Sequence, residues 1–290
     1  MKSAIIKLAL LILVLSNCVT AQKIGRAQPS ISQKPSFYNL SNELAPLFVF
    51  TFLSPWNMVY GSDTPRFVLY RDGTVIYVKY TEENNPYSAV YLTAQLSPEE
   101  VSQIMKKINP VEFSTYNERY TPDFSAGVAS DLPERLLVMS QSDGTYKSVS
   151  LYGGLGGREY RKGFSVENVP NSLKETIEFI NSFDTAKAEG WRAEYEEVLI
   201  EPSEEEKEKT VKWSKKLPDL TDSKTIKHKE FGRYSLFVRK TQSTELDKIW
   251  SKYNRKYRSE RAVLINNQKF DIEIRTPFPS EEIWLGNFRN

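Results

Sequence analysis

The chain has 290 residues, 40% hydrophobic and 26% charged, and its 39 basic and 37 acidic side chains give a formal net charge of +2. That near balance supplies no electrostatic drive toward nucleic acid or an anionic membrane. One Cys and one His exclude an intramolecular disulfide and any thiol or imidazole metal cluster within one chain.

Met1–Ala21 has the layout of a secretory signal: Lys2 and Lys7, the apolar stretch Leu8–Leu15, then Val19-Thr20-Ala21 as a small-residue cleavage site. The apolar run falls short of the ~20 residues that span a bilayer. Cleavage after Ala21 would remove the only cysteine. Leu15-Ser16-Asn17-Cys18 also resembles a lipobox, with Asn17 unusual before the cysteine, so lipid anchoring at Cys18 stands beside soluble export. Residues 22–35 are polar and Pro-containing and read as a disordered leader.

Leu47–Phe52 is the first strand candidate. Arg66–Tyr80 then reads as a hairpin about Asp72-Gly73, a pair suited to a two-residue type I′ turn. That turn sets Phe67 against Val78 and Leu69 against Ile76. It leaves Val68, Tyr70, Val75 and Tyr77 on a second face too apolar for open solvent. A third strand is expected at Ser88–Thr93. Ser97-Pro98-Glu99-Glu100 is a helix start with a capping box, followed by the stripe Val101, Ile104, Met105 and Ile108 and ended by Pro110.

A similar order recurs. Leu136–Tyr152 is strand, Asp143-Gly144, strand, with Val138 expected opposite Val149 and Leu136 opposite Leu151. Ser172 and Glu175 stand at capping-box spacing before Leu173, Thr176, Ile177 and Ile180. The offsets from Asp72 to Asp143 and from Ser97 to Ser172 are nearly equal, so two copies of a hairpin-then-helix unit stand beside convergent hairpin grammar as readings. Asp184–Gly190 is a domain-junction candidate. Beyond it come a strand at Tyr195–Ile200, a solvated charged run Glu201–Lys216, a strand at Tyr234–Lys240 and an amphipathic helix Ser243–Tyr257. Leu246, Ile249, Trp250 and Tyr253 form the apolar side of that helix, and Lys248, Lys252, Arg255, Lys256 and Arg258 its wet face. A last hairpin joins Ala262–Ile265 to Phe270–Ile274 through Asn266-Asn267-Gln268.

Candidate chemistry is sparse. His228, between Lys227 and Lys229, reads as a surface histidine. Gly153–Gly157 follows a strand but lacks phosphate-loop spacing. Asp123, Asp131 and Glu134, with Tyr116 and Tyr120 nearby, are the only carboxylate set that suggests glycoside cleavage, and solvated loop acids are the simpler reading. Trp191, Trp213, Trp250 and Trp284 suit core anchors better than sugar platforms.

Trp191 with Tyr195–Pro202, then Trp213 with Leu217–Leu220, then Arg275-x-Pro277-Phe278-Pro279-x-Glu281-x-x-Trp284 resemble a family of uncharacterised exported bacterial proteins. Its members pair this tail with a Tyr-x-Asp-Gly-Thr-Val hairpin, matched at Tyr70–Val75, and a Leu-Ser-Pro-Glu-Glu helix start, matched at Leu96–Glu100. Where such sequences often carry Trp-Pro, this chain has Glu201-Pro202. The resemblance covers most of the chain after its leader. It implies export and architecture and carries no known activity. The residues themselves make Arg275–Trp284 a Pro-stiffened clasp with Phe278 and Trp284 buried.

The combined expectation is an α+β fold of antiparallel, hairpin-built sheets with amphipathic helices on one face. The segments are a signal (1–21), a leader (22–35), an N-terminal α+β domain (36–185) and a smaller C-terminal one (190–290). No catalytic, cofactor-binding or metal-binding residue is assigned. The functional expectation is a non-enzymatic envelope or secreted protein binding an envelope protein or glycan. The alternative is a carboxylate-dependent glycan or cell-wall hydrolase.

Overall fold

The computed structural model describes residues 44–54, 63–80, 89–122, 132–153, 166, 168–203, 207–228, 232–254 and 261–281, all within the unit Pro35–Asn290. The signal, the leader, Cys18 and the glycines Gly154, Gly156 and Gly157 lie outside them. The architecture is α+β, with two mostly antiparallel sheets.

The first sheet holds β1 (Pro46–Leu53), β2 (Pro65–Tyr70), β3 (Thr74–Tyr80), β4 (Ala89–Gln95), β5 (Arg119–Tyr120), β6 (Glu134–Ser140), β7 (Tyr146–Tyr152) and β8 (Glu189–Gly190), in the order β5-β7-β6-β1-β2-β3-β4-β8. Strand side chains alternate, and here both faces are apolar. One face, with Phe48, Phe67, Leu69, Val75, Tyr77, Leu137 and Val149, is covered by α1 (Pro98–Ile108), the short α2 (Pro110–Phe113) and α3 (Asn171–Asn181). The opposite face carries Val49, Val68, Tyr70, Ile76, Leu136 and Val138 and is closed by Phe278 and Trp191.

The turns correct the expected registers. Gly73 N donates to Tyr70 O at 3.1 Å, and Gly73 alone of the Asp-Gly pair has a positive φ, 89°. Asp72 Oδ1 instead accepts from Thr74 N at 2.9 Å. The hairpin thus has three loop residues, a type I turn followed by a left-handed glycine, rather than the expected I′ turn. Val68 therefore pairs with Ile76 and Leu69 with Val75. One residue of slip exchanges the faces of the second strand, so Val75 and Tyr77 lie under the helices and Ile76 on the clasp side. The Asp143-Gly144 hairpin repeats this geometry: Gly144 has φ 81°, Thr145 N donates to Asp143 Oδ1 at 2.9 Å, and Leu137, not Val138, faces Val149.

Ser97 and Glu100 make both halves of the capping box of α1. The expected box on α3 is absent; Pro170 precedes that helix, and Ser172 Oγ accepts from Tyr116 Oη and donates to Glu112.

The second sheet holds β9 (Tyr195–Pro202), β10 (Lys209–Lys212), β11 (Ile226–Lys227), β12 (Tyr234–Arg239), β13 (Arg261–Ile265) and β14 (Gln268–Arg275), in the order β10-β13-β14-β9-β12-β11. Val198, Ile200, Leu236, Val263 and Ile272 pack against Leu246, Ile249 and Tyr253 of α4 (Ser243–Tyr253). Part of the charged run expected to be solvated is β10, an edge strand paired in parallel with β13, and Trp213 packs on this core. The I′-like geometry appears at Asn266-Asn267, with φ of 46° and 64° and Ile265 paired to Gln268.

Candidate functional site

Two concentrations of charge stand out in the second sheet, one buried and one open. The buried one lies on the face away from α4. Alternation along β9 turns Val198 and Ile200 to the helix and Glu197 and Leu199 to the opposite side. Register places Arg275 opposite Glu197, and Ser235 beside them on β12. Arg275 Nη1 donates to Glu197 Oε2 at 3.0 Å, and its Nη2 donates to Glu281. Ser235 Oγ donates to Glu197 Oε1 at 2.6 Å and lies 2.7 Å from His228 Nε2. Ser235 is 0% exposed, Glu281 2% and Arg275 3%.

This wiring determines its chemistry. With the serine proton directed to Glu197, Ser235 Oγ is left as an acceptor, and its contact with His228 calls for the tautomer that carries hydrogen on Nε2. A hydrolytic triad needs the reverse, a histidine that takes the serine proton. Ser235 is also wholly buried. The trio is a hydrogen-bond relay inside the protein, and His228 is its half-buried end, not the surface histidine expected. Burial raises the Glu281 carboxyl above its ordinary range; Arg275 opposes that and the Glu197 charge adds to it. The half-buried Tyr91 phenol, near Arg275 and Glu281, is pushed up to about 12, chiefly by desolvation.

Between Arg275 and Glu281 the chain crosses to the first sheet. Phe278 is 1% exposed and meets Trp191 at 4.8 Å and Tyr91 at 5.4 Å between ring centroids. Tyr70 Oη donates to Pro279 O at 3.0 Å. The expected clasp therefore holds Phe278, while Trp284 lies outside the described residues.

The open concentration is a groove of about 730 Å³ between α4 and the β10–β13 edge. Lys209, Lys212, Lys248, Lys252 and Arg261 line it with one carboxylate, Glu245. Helical spacing sets Glu245, Lys248 and Lys252 in one stripe beside the apolar one. Register sets Lys209 beside Arg261 on the opposite wall. Lys248 and Lys252 are exposed, as the expectation of a wet face has them, and both also line a concavity shared with sheet cations, while Arg255, Lys256 and Arg258 lie outside the described residues. Glu245 accepts from Lys248 at 3.0 Å and stays below the ordinary carboxylate range chiefly for that reason. Arg261 Nη1 donates to the carbonyl of Lys252, fixing the helix C-terminus at the cationic end.

A second concavity of about 430 Å³ contains Asp219, Asp222, Lys224 and Arg239. Four of its polar groups are engaged internally: Asp219 accepts from Thr221 N at 2.8 Å, Asp222 accepts from Lys224 N at 2.9 Å, and Lys224 and Arg239 lie over the Tyr195 ring.

The sequence-derived carboxylate set is not brought together among the described residues. Glu134 lies on β6, 3.9 Å from Arg119, while Asp123 and Asp131 lie outside them. Tyr116 and Tyr120 are core residues under the helices. Trp191 joins the clasp, and Trp213 and Trp250 pack on the α4 core. Among the described residues no three His, Cys, Asp or Glu side chains gather where a metal could sit, and no helix is long and apolar enough to cross a membrane.

No family model, no curated protein and no solved structure matches the chain.

Proposed function

We propose that the protein is an exported, non-enzymatic binding protein of a bacterial envelope or its surroundings, with its ligand surface on the second sheet. The observation that carries this reading is the division of charge. The buried groups Glu197, Arg275 and Glu281 hold one another, and the open groove beside α4 is lined, among the described residues, by four lysines and an arginine with a single carboxylate. Catalysis by carboxylates needs two of them facing a substrate with their pKa values split by environment. Lysine-rich walls around one salt-bridged glutamate suit binding instead.

Met1–Ala21 directs export in this reading, with release into solution or retention through Cys18. The resemblance of Trp191 with Tyr195–Pro202, of Trp213 with Leu217–Leu220 and of the Arg275–Trp284 motif to the exported family supports the same localisation. Residues 36–185 form the N-terminal domain, whose two Asp-Gly-Thr hairpins and following helices descend from one duplicated unit. Residues 190–290 form the C-terminal domain.

Incubating the purified chain with peptidoglycan and a panel of glycans tests the non-enzymatic part. We expect no released fragments, and no difference for Asp123→Asn or Asp131→Asn. Release that these variants abolish would replace this reading with a carboxylate-dependent hydrolase. Fractionating cells that express wild type and Cys18→Ser tests localisation: export predicts both outside the cytoplasm, and a lipid anchor predicts solubilisation by the substitution.

A further inference from the structure

We infer that the groove between α4 and the β10–β13 edge binds an acidic glycan, a chain of sugars carrying carboxylates. This rests on the binding-protein reading and names the ligand class of that site. Three features of the groove point to it.

First, its charge is opposed across two walls. Lys248 and Lys252 project from the helix, Lys209 and Arg261 from the sheet, and among the described residues the lining has five cations against one carboxylate. Cations facing each other across a concavity repel, and an anion between them relieves that repulsion. Four of the five are lysines, compact charges on flexible stems that follow a repeating anion without the fixed planar geometry of arginine.

Second, the groove is polar along its length in a definite sense. Ser214 Oγ donates to Glu245 Oε2 at 3.4 Å at one end, and the Arg261–Lys252 contact marks the other. Glu245 accepts hydrogen bonds and sugar hydroxyls donate them, while the cations at the far end take carboxylates. A sugar acid carries both groups on every repeating unit, so a chain of them can meet both ends of the groove at once.

Third, no aromatic side chain is among the described residues that line the groove. Trp213 and Trp250 pack on the α4 core instead. The described lining therefore offers charge and hydroxyl contacts, rather than the stacking that suits neutral sugars, as the source of selectivity. The volume of about 730 Å³ lies within the ~300–1,000 Å³ range of small-ligand sites.

The test is calorimetric titration of the full chain with a galacturonate oligomer, a neutral oligomer of the same length, and phosphatidylglycerol vesicles, each at low and at physiological salt. We expect the galacturonate oligomer to bind, more weakly at higher salt, and the neutral oligomer not to bind. Lys248→Glu with Lys252→Glu should weaken binding about tenfold or more. Both side chains are exposed, so an unchanged circular dichroism spectrum identifies a folded variant. Lys106→Glu with Lys107→Glu on α1 should bind like wild type.

Equal binding of the neutral oligomer, indifference to the groove variant, or binding to vesicles alone would overturn the inference. Assaying the same samples for reducing ends separates the two levels. New reducing ends with groove-dependent binding would end the non-enzymatic reading while leaving the ligand class intact. Their absence together with absence of galacturonate binding would end the ligand class alone.

Discussion

The first sheet buries both faces with apolar side chains, whereas the second buries one face that way and fills part of the other with charge. On the first sheet the helices close one side, and Phe278 with Trp191 closes the other. On the second, α4 covers the aliphatic side, and Glu197, Ser235 and Arg275 occupy the opposite one. The contrast separates two ways of fixing a covering segment. Apolar packing tolerates exchange of shapes of similar volume. A guanidinium held between two carboxylates instead sets where its segment lies, because the hydrogen bonds are directional and either charge left alone is penalised. Arg275 and Glu281 bracket the residues that cross to the first sheet, so this fork fixes where Phe278 lands.

The largest effect should come from Arg275→Met. It leaves Glu197 and Glu281 buried without their shared cation, and loss of one partner of such a network costs about 3–5 kcal/mol. Urea unfolding checks this, and adding Glu197→Gln and Glu281→Gln should restore much of the loss. A change below about 1 kcal/mol, the level of an exposed pair, would erase the contrast between the sheets.

Next come the two turn glycines of the first sheet, where shape alone decides. Ala at Gly144 meets nothing within 4 Å and should cost only the left-handed backbone penalty, about 1–2 kcal/mol. Ala at Gly73 carries the same penalty and also places its Cβ 2.6 Å from Leu96 O, so it should destabilise more in the same unfolding experiment. Equal losses would mean that the chain entering α1 does not rest on the hairpin tip.

Tyr70→Phe should follow, at about 0.5–1.5 kcal/mol, because it removes the hydrogen bond to Pro279 O and keeps the ring. The gentlest effect is a slope. Glu281 is held above its ordinary 4.5 by burial, so the folded protein keeps a proton that the unfolded chain loses. Its contribution favours folding below about 4.5 and declines as pH rises through the folded value. Glu281→Gln lacks that decline, so its stability relative to wild type should rise with pH across this window. A relative stability that falls would show that Arg275, not burial, dominates the carboxyl.

The helices were legible because their apolar residues recur at helical spacing: Ile104 and Ile108, Leu173 and Ile177, Leu246 and Ile249 are all buried where the stripe places them. Ser97 was legible as a cap because its partner, Glu100, is local. Ser172 was not, because Glu112 and Tyr116 claim its hydroxyl from sixty and fifty-six residues away. The Asp-Gly pairs located both hairpins and misled on register. The same dipeptide serves two turn types, and the choice here follows the threonine after each glycine, whose N–H the aspartate accepts.

β10 escaped notice because Lys209-Thr210-Val211-Lys212 is short and charged, and its pairing depends on β13, some fifty residues later. The groove escaped with it, since the helix lysines and the strand at Ala262–Ile265 are legible but the β10 edge that completes the wall is not. Of the buried network, Arg275 and Glu281 were visible only as parts of a terminal motif. Glu197 was hidden beside Glu196 in a strand whose two faces looked alike.

The most direct test is thermal melting with and without the galacturonate oligomer for wild type, Arg275→Met and the Lys248→Glu, Lys252→Glu double variant. A ligand that binds only the folded state raises the melting temperature. We expect Arg275→Met to melt lower and keep the ligand-induced rise, and the lysine variant to lose the rise while melting only slightly lower, by the small cost of the exposed Glu245–Lys248 pair. A lysine variant that melts as early as Arg275→Met, or an Arg275 variant that melts normally but no longer responds to ligand, would contradict the division between structural and binding charge.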